Sequence, residues 1–167
     1  MEKKLFYWEL FGFFFIFSLG AAWHFLYDWT GIFLISLVAP VNDSVWEHLK
    51  LGICPTLIFA FIAYFYIGRY RRRYWAVRAL QMYLNPIFLV LLFYGYTAVL
   101  GDNKLFLDIL IFAAAVAACQ FIGYKLLQKP AGYGPNIWFI PALFILFLLA
   151  AFALLTVYPL PLPIFIE

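Results

Sequence analysis

Leu105-Phe-Leu-Asp-Ile-Leu-Ile-Phe-Ala-Ala-Ala-Val-Ala-Ala-Cys-Gln-Phe-Ile-Gly-Tyr-Lys-Leu126 is an apolar run whose only charged side chains, Asp108 and Lys125, stand near its ends. A bilayer core of about 30 Å needs roughly 20 such residues in a helix. Runs of the same kind recur at Leu5–Tyr27, Val45–Gly68, Ala76–Leu100 and Ile137–Val157. The expectation is an all-α bundle of five transmembrane helices, built as one domain over residues 1–167. The small residues Ala113-Ala-Ala-Val-Ala-Ala118 let the fourth helix approach its neighbours closely.

Composition agrees with the run. Hydrophobic residues make up 68% of the chain and charged residues 11%, against about 25% charged in an ordinary soluble domain. Mean hydropathy is +0.97. No linker, low-complexity tract or internal repeat is visible. Cys54 and Cys119 fall inside expected spans with no CxxC spacing, and read as buried free thiols. Trp and Tyr at span ends, such as Tyr7, Trp8, Trp29, Tyr74 and Trp75, suit membrane–water interfaces.

The formal charge of +3 is sorted by side and implies topology, not nucleic-acid binding. With five spans, Lys3, Lys4, Arg69, Arg71, Arg72, Arg73, Arg78, Lys125 and Lys129 share one face, while Lys50 and Lys104 lie on the other. Basic loops stay cytoplasmic. A multi-pass plasma (inner) membrane protein follows, with its N-terminus in the cytoplasm and its C-terminus outside. Lys3, Lys4 and Gly20-Ala21-Ala22 echo a signal peptide, but the long Phe-rich apolar region interrupted by Glu9 reads as a retained anchor helix. Glu9 and Arg78 sit at the same inner level, and buried charges pair, so an ion pair between them is expected.

The segment between the first two spans is irregular. Gly31–Pro40 is too short to cross, which suits a re-entrant or interfacial piece. It leads into Asn42-Asp-Ser-Val-Trp-Glu-His-Leu-Lys50, the densest polar stretch of the chain. Ser44 and Glu47 have the S-x-x-E spacing of a capping box, with Asn42 and Asp43 as competing caps. Capping leaves His48 and Lys50 unexplained. Span one offers its own row at i, i+4, i+7 and i+8: Gly20, His24, Tyr27 and Asp28. Both histidines of the chain thus reach the outer face at similar depth, each with a carboxylate nearby.

Ionisable groups beside a membrane span are costly and mark function by default. The lead reading is an outer-face polar site that binds or conducts a small solute, ion or lipid. Asp28, Asn42, Ser44, Lys50 and Tyr27 would contact the ligand. A divalent metal such as zinc would take His24 and His48, with a carboxylate beside them. In a hydrolase version the metal acts on a lipid or isoprenoid headgroup and Glu47 is the catalytic base. A third reading is an accessory subunit that docks another membrane protein or a second copy through exposed Phe faces. A structural network pinning the re-entrant piece is the bland alternative. Membrane lipids are the expected surroundings in every case.

Three stretches carry a resemblance: His24-Phe-Leu-Tyr-Asp-Trp-Thr-Gly31, Val41-Asn-Asp-Ser-Val-Trp-Glu-His-Leu-Lys50 and Phe93-Tyr-Gly-Tyr-Thr97. With the closing Tyr158-Pro-Leu-Pro region, they resemble an uncharacterised family of small bacterial integral-membrane proteins over essentially the whole chain. The resemblance implies the membrane fold and lends no activity. It also implies a short polar tail beyond Glu167.

Overall fold

The computed structural model describes residues 2–129 and 139–166. The expected start of the fifth span at Ile137 lies outside the described residues. Every element among the described residues is helical. In order they are α1 (Glu2–Trp23), α2 (Leu26–Thr30), α3 (Phe33–Ser36), α4 (Val45–His48), α5 (Lys50–Tyr66), α6 (Tyr74–Leu100), α7 (Leu105–Gln128) and α8 (Phe139–Val157). Short 3-10 turns add Gly68–Tyr70 and Pro163–Phe165. Counting α4 and α5 as one, five helices are long and apolar enough to cross a membrane.

Four of them close a ring. Helix α1 packs on α5 and α7, and α6 packs on α5 and α7, so each member has two neighbours. Helix α8 lies outside the ring against α6, tied there by Tyr83, whose hydroxyl donates to the Phe144 carbonyl at 2.8 Å. The middle of the ring holds Ile16, Phe59, Ala60, Ala63, Met82, Ala115 and Val116, all buried. Large side chains such as Phe14, Phe65, Leu91, Phe121 and Phe147 are exposed on the outside, which is compatible with a surface that faces lipid.

Polar groups also run down the middle. Arg78 is fully buried and grips Glu9 with both terminal nitrogens, at 2.9 and 2.6 Å. Phe59 and Tyr74 present ring faces to the guanidinium at 5.1 and 4.8 Å. One turn further, Gln81 accepts from Arg78 at 2.8 Å and donates to the Cys119 carbonyl and the Gln120 Oε1, each at 2.8 Å. The amides fit because their neighbours lack side chains. A Cβ at Gly12, Gly52 or Gly123 would fall on Gln120, Asn85 or Gln81 respectively. Small residues let polar side chains bridge helices at close range.

Two helix boundaries position the site. Helix α1 stops at Trp23, short of Tyr27, and the chain turns through His24-Phe25 into α2. Helix α2 stops at Gly31, whose φ of 62° is left-handed and whose N–H caps the Tyr27 carbonyl at 2.8 Å. Glycine reaches that conformation without a Cβ clash. The chain then returns through α3 to Ser44, the N-cap of α4.

Candidate functional site

The site forms where the end of α1 meets the start of α4. Ser44 accepts the Glu47 N–H at 3.4 Å, which is the forward half of a capping box. The reverse half is absent. Asn42 Oδ1 takes its place, accepting the Ser44 N–H at 3.1 Å and the Ser44 hydroxyl at 2.7 Å. That frees the Glu47 side chain to turn elsewhere and fixes the backbone before α4.

One turn on, His48 Nδ1 lies 2.9 Å from the Ser44 carbonyl oxygen. A carbonyl only accepts, so this contact makes Nδ1 the donor and leaves the lone pair on Nε2. His48 Nε2 is 3.1 Å from His24 Nε2. Asp43 Oδ1 is 3.8 Å from the same His24 atom. The donor atoms of His24, Asp43 and His48 all lie within 4.8 Å of one another. His24 Nδ1 is buried with no hydrogen-bond partner among the described residues. The Asp43 side chain is 81% exposed and that of His24 30% exposed, so the cluster opens to solvent on one side.

This arrangement fits a divalent metal. Zinc binds imidazole nitrogen at about 2.0–2.1 Å, which puts two such ligands on a tetrahedral ion about 3.3 Å apart. The observed 3.1 Å between the two Nε2 atoms needs little adjustment. The Ser44 carbonyl supplies the outer support that metal-binding imidazoles characteristically have. Two imidazoles and one carboxylate leave a fourth position open, the pattern of sites that bind or activate a further ligand.

Glu47 and Lys50 belong to a separate, dry cluster. Glu47 Oε2 accepts Lys50 Nζ at 2.6 Å and the Val41 N–H at 3.1 Å, while Oε1 accepts the Thr156 hydroxyl at 2.8 Å. Lys50 Nζ donates also to the Ser36 and Ala39 carbonyls at 2.8 and 3.1 Å. All three ammonium protons have acceptors. Residues Ser36, Ala39 and Pro40 are buried under this cluster. Trp23 adds a bond from its indole to the Val38 carbonyl at 2.9 Å. The pair therefore holds the returning backbone after α3 through the Ser36 and Ala39 carbonyls.

The other expected site residues lie apart from the donors. Tyr27, half-buried, and Asp28, exposed, are on α2. The row from Gly20 to Asp28 presumes a continuous helix, and the break after Trp23 dissolves it. Asp28 is not in the cluster that converges with the histidines. Asp43 is there instead. It reads in the sequence only as one of three competing caps. The detectable signal is that three polar residues precede one helix, which needs one cap.

A model of a family of unknown function spans residues 1–167. The chain belongs to that family, DUF6512. No curated protein matches it. No solved structure matches it either. Membership in the family brings no activity with it, so the chemistry rests on the geometry above.

Proposed function

We propose that this member of the family is a small multi-pass plasma-membrane protein that binds a divalent transition-metal ion, of the zinc class, at its outer face. His24, His48 and Asp43 are the ligands. The carrying observation is the convergence of their donor atoms within 4.8 Å, with the His48 tautomer set by Ser44.

Orientation in this reading follows charge. The starts of α1 and α6 and the ends of α5 and α7 carry Lys3, Lys4, Arg69, Arg71, Arg72, Arg73, Arg78, Lys125 and Lys129, which assigns that end to the cytoplasm. The histidines are at the opposite end. The α2–α3 segment, with Trp29, Phe33 and Leu34 at 68, 64 and 70% exposure, suits the interface there. A hydrolase would need a base beside the metal. Both oxygens of Glu47 are committed to Lys50, Val41 and Thr156, which favours binding over hydrolysis.

The test is metal content of the gently solubilised protein by mass spectrometry. About one equivalent of zinc is expected in the native chain, as one three-ligand site holds one ion. The double variant His24→Ala/His48→Ala should lose it. Equal metal in both samples, or none in the native chain after zinc loading, overturns the reading.

A further inference from the structure

The open coordination position has a definite neighbourhood. His24 directly follows Trp23, the last residue of the membrane-length helix α1. In the proposed membrane placement the metal ligands therefore lie at the level of lipid headgroups, not in the hydrocarbon and not in bulk water. Beside them is an exposed aromatic ledge. Phe25 is 5.0 Å from the His24 ring, and Trp29 stacks on Phe25 at 5.9 Å. These rings are 49 and 68% exposed. Aromatic side chains of this kind settle among headgroups and upper acyl chains.

Charge selects the ligand. Two neutral imidazoles and one carboxylate leave a divalent ion with one net positive charge, and a bound ion dominates the local field. The species that cancels it is a monoanion with a hard oxygen donor. Headgroup phosphodiesters are monoanionic and are packed at this depth. The Asp43 side chain is 81% exposed, so the cluster is open to a group that approaches from outside.

We propose, resting on the metal reading above, that the ion held by His24, His48 and Asp43 binds a phosphate oxygen. Its source is the headgroup of a membrane phospholipid that lies against Phe25 and Trp29. The site is a metal-bridged lipid clasp. No bond is broken in it: Glu47, the base expected from the sequence, is committed to Lys50, Val41 and Thr156. Inorganic phosphate offers the same oxygen without the chains and is the competing source.

The test loads the full chain in detergent with Co2+, a spectroscopically visible stand-in for zinc. Dihexanoyl-phosphatidylglycerol or inorganic phosphate is then titrated in. The cobalt visible spectrum reports a new ligand, and 31P relaxation reports a phosphorus atom beside the paramagnetic ion. The expected result is a saturable change with the lipid, at a half-saturation about tenfold below that of phosphate, a difference of about 1.4 kcal/mol. Trp29→Ala should narrow that gap while leaving cobalt binding intact. Cobalt bound with no response to either probe overturns the clasp and leaves the metal site standing. Equal response to both probes overturns the lipid source and keeps the phosphate chemistry. Failure of cobalt to bind the native chain overturns both readings.

Discussion

Substituting Glu47 separates scaffold from site. The residue is 2% exposed and its carboxylate accepts from Lys50, Val41 and Thr156. Glu47→Ala leaves the Lys50 ammonium, itself 1% exposed, without its counter-charge. Removing one member of a buried ion pair costs about 3–5 kcal/mol. The Val41 N–H stranded with it adds about 1 kcal/mol, less than additively, while the Thr156 hydroxyl keeps the Phe152 carbonyl at 2.9 Å. Lys50 keeps the Ser36 and Ala39 carbonyls, which relieves part of the penalty. The expected loss is about 4 kcal/mol. Glu47→Gln keeps the shape and an acceptor for Thr156 but loses the charge, so about half that loss is expected. The assay is reversible unfolding in mixed micelles by SDS titration, read by tryptophan fluorescence. Metal content of the Glu47→Gln protein is measured alongside and should match the native chain. An Ala variant within about 1 kcal/mol of native would refute the account of a dry pair holding the α3 backbone. Metal lost from the Gln variant would return Glu47 to the site.

Three further outcomes follow from the ring. Gly52→Ala places a methyl group on the Asn85 amide, and overpacking of this kind costs about 1–3 kcal/mol in the same SDS titration; an unchanged midpoint would contradict the packing. Arg78→Met strands Glu9 and should cost about 3–5 kcal/mol, while adding Glu9→Gln should recover part of it; no recovery would argue against a direct pair. Cys54 and Cys119 are buried, and thiol reactivity follows exposure of the thiolate, so maleimide should label neither until SDS unfolds the protein, as intact mass will show.

The five long helices were legible because lipid imposes length and apolarity on every span, whatever its neighbours. The Glu9–Arg78 pair was legible for the same reason, since two lone charges at one depth have only each other. The approach of His24 to His48 also came from depth alone. What depth does not encode is where a helix ends. The Gly20–Asp28 row assumed helical continuity through His24, and no proline or glycine marks the break there. Tertiary bonds decide it, with Trp23 held by Val38 across 15 residues. For the same reason the carboxylate that converges with the histidines is Asp43 rather than Asp28. Glu47 offered two roles from its spacing, and only the distant Thr156 and the returning Val41 show which bonds it makes.

In the proposed membrane placement, the Arg78 guanidinium has a consequence for how the chain enters the bilayer. An arginine presented to the insertion machinery inside an apolar segment opposes integration by about 2.5–3.5 kcal/mol when central, and less near an end. Glu9 meets that arginine from 69 residues upstream. A first helix that stays beside the point of entry until the span bearing Arg78 emerges would remove that cost. Integration of the first and third crossings becomes a joint event, and a chain that releases its leading helix too early delivers an unpaired cation to the lipid.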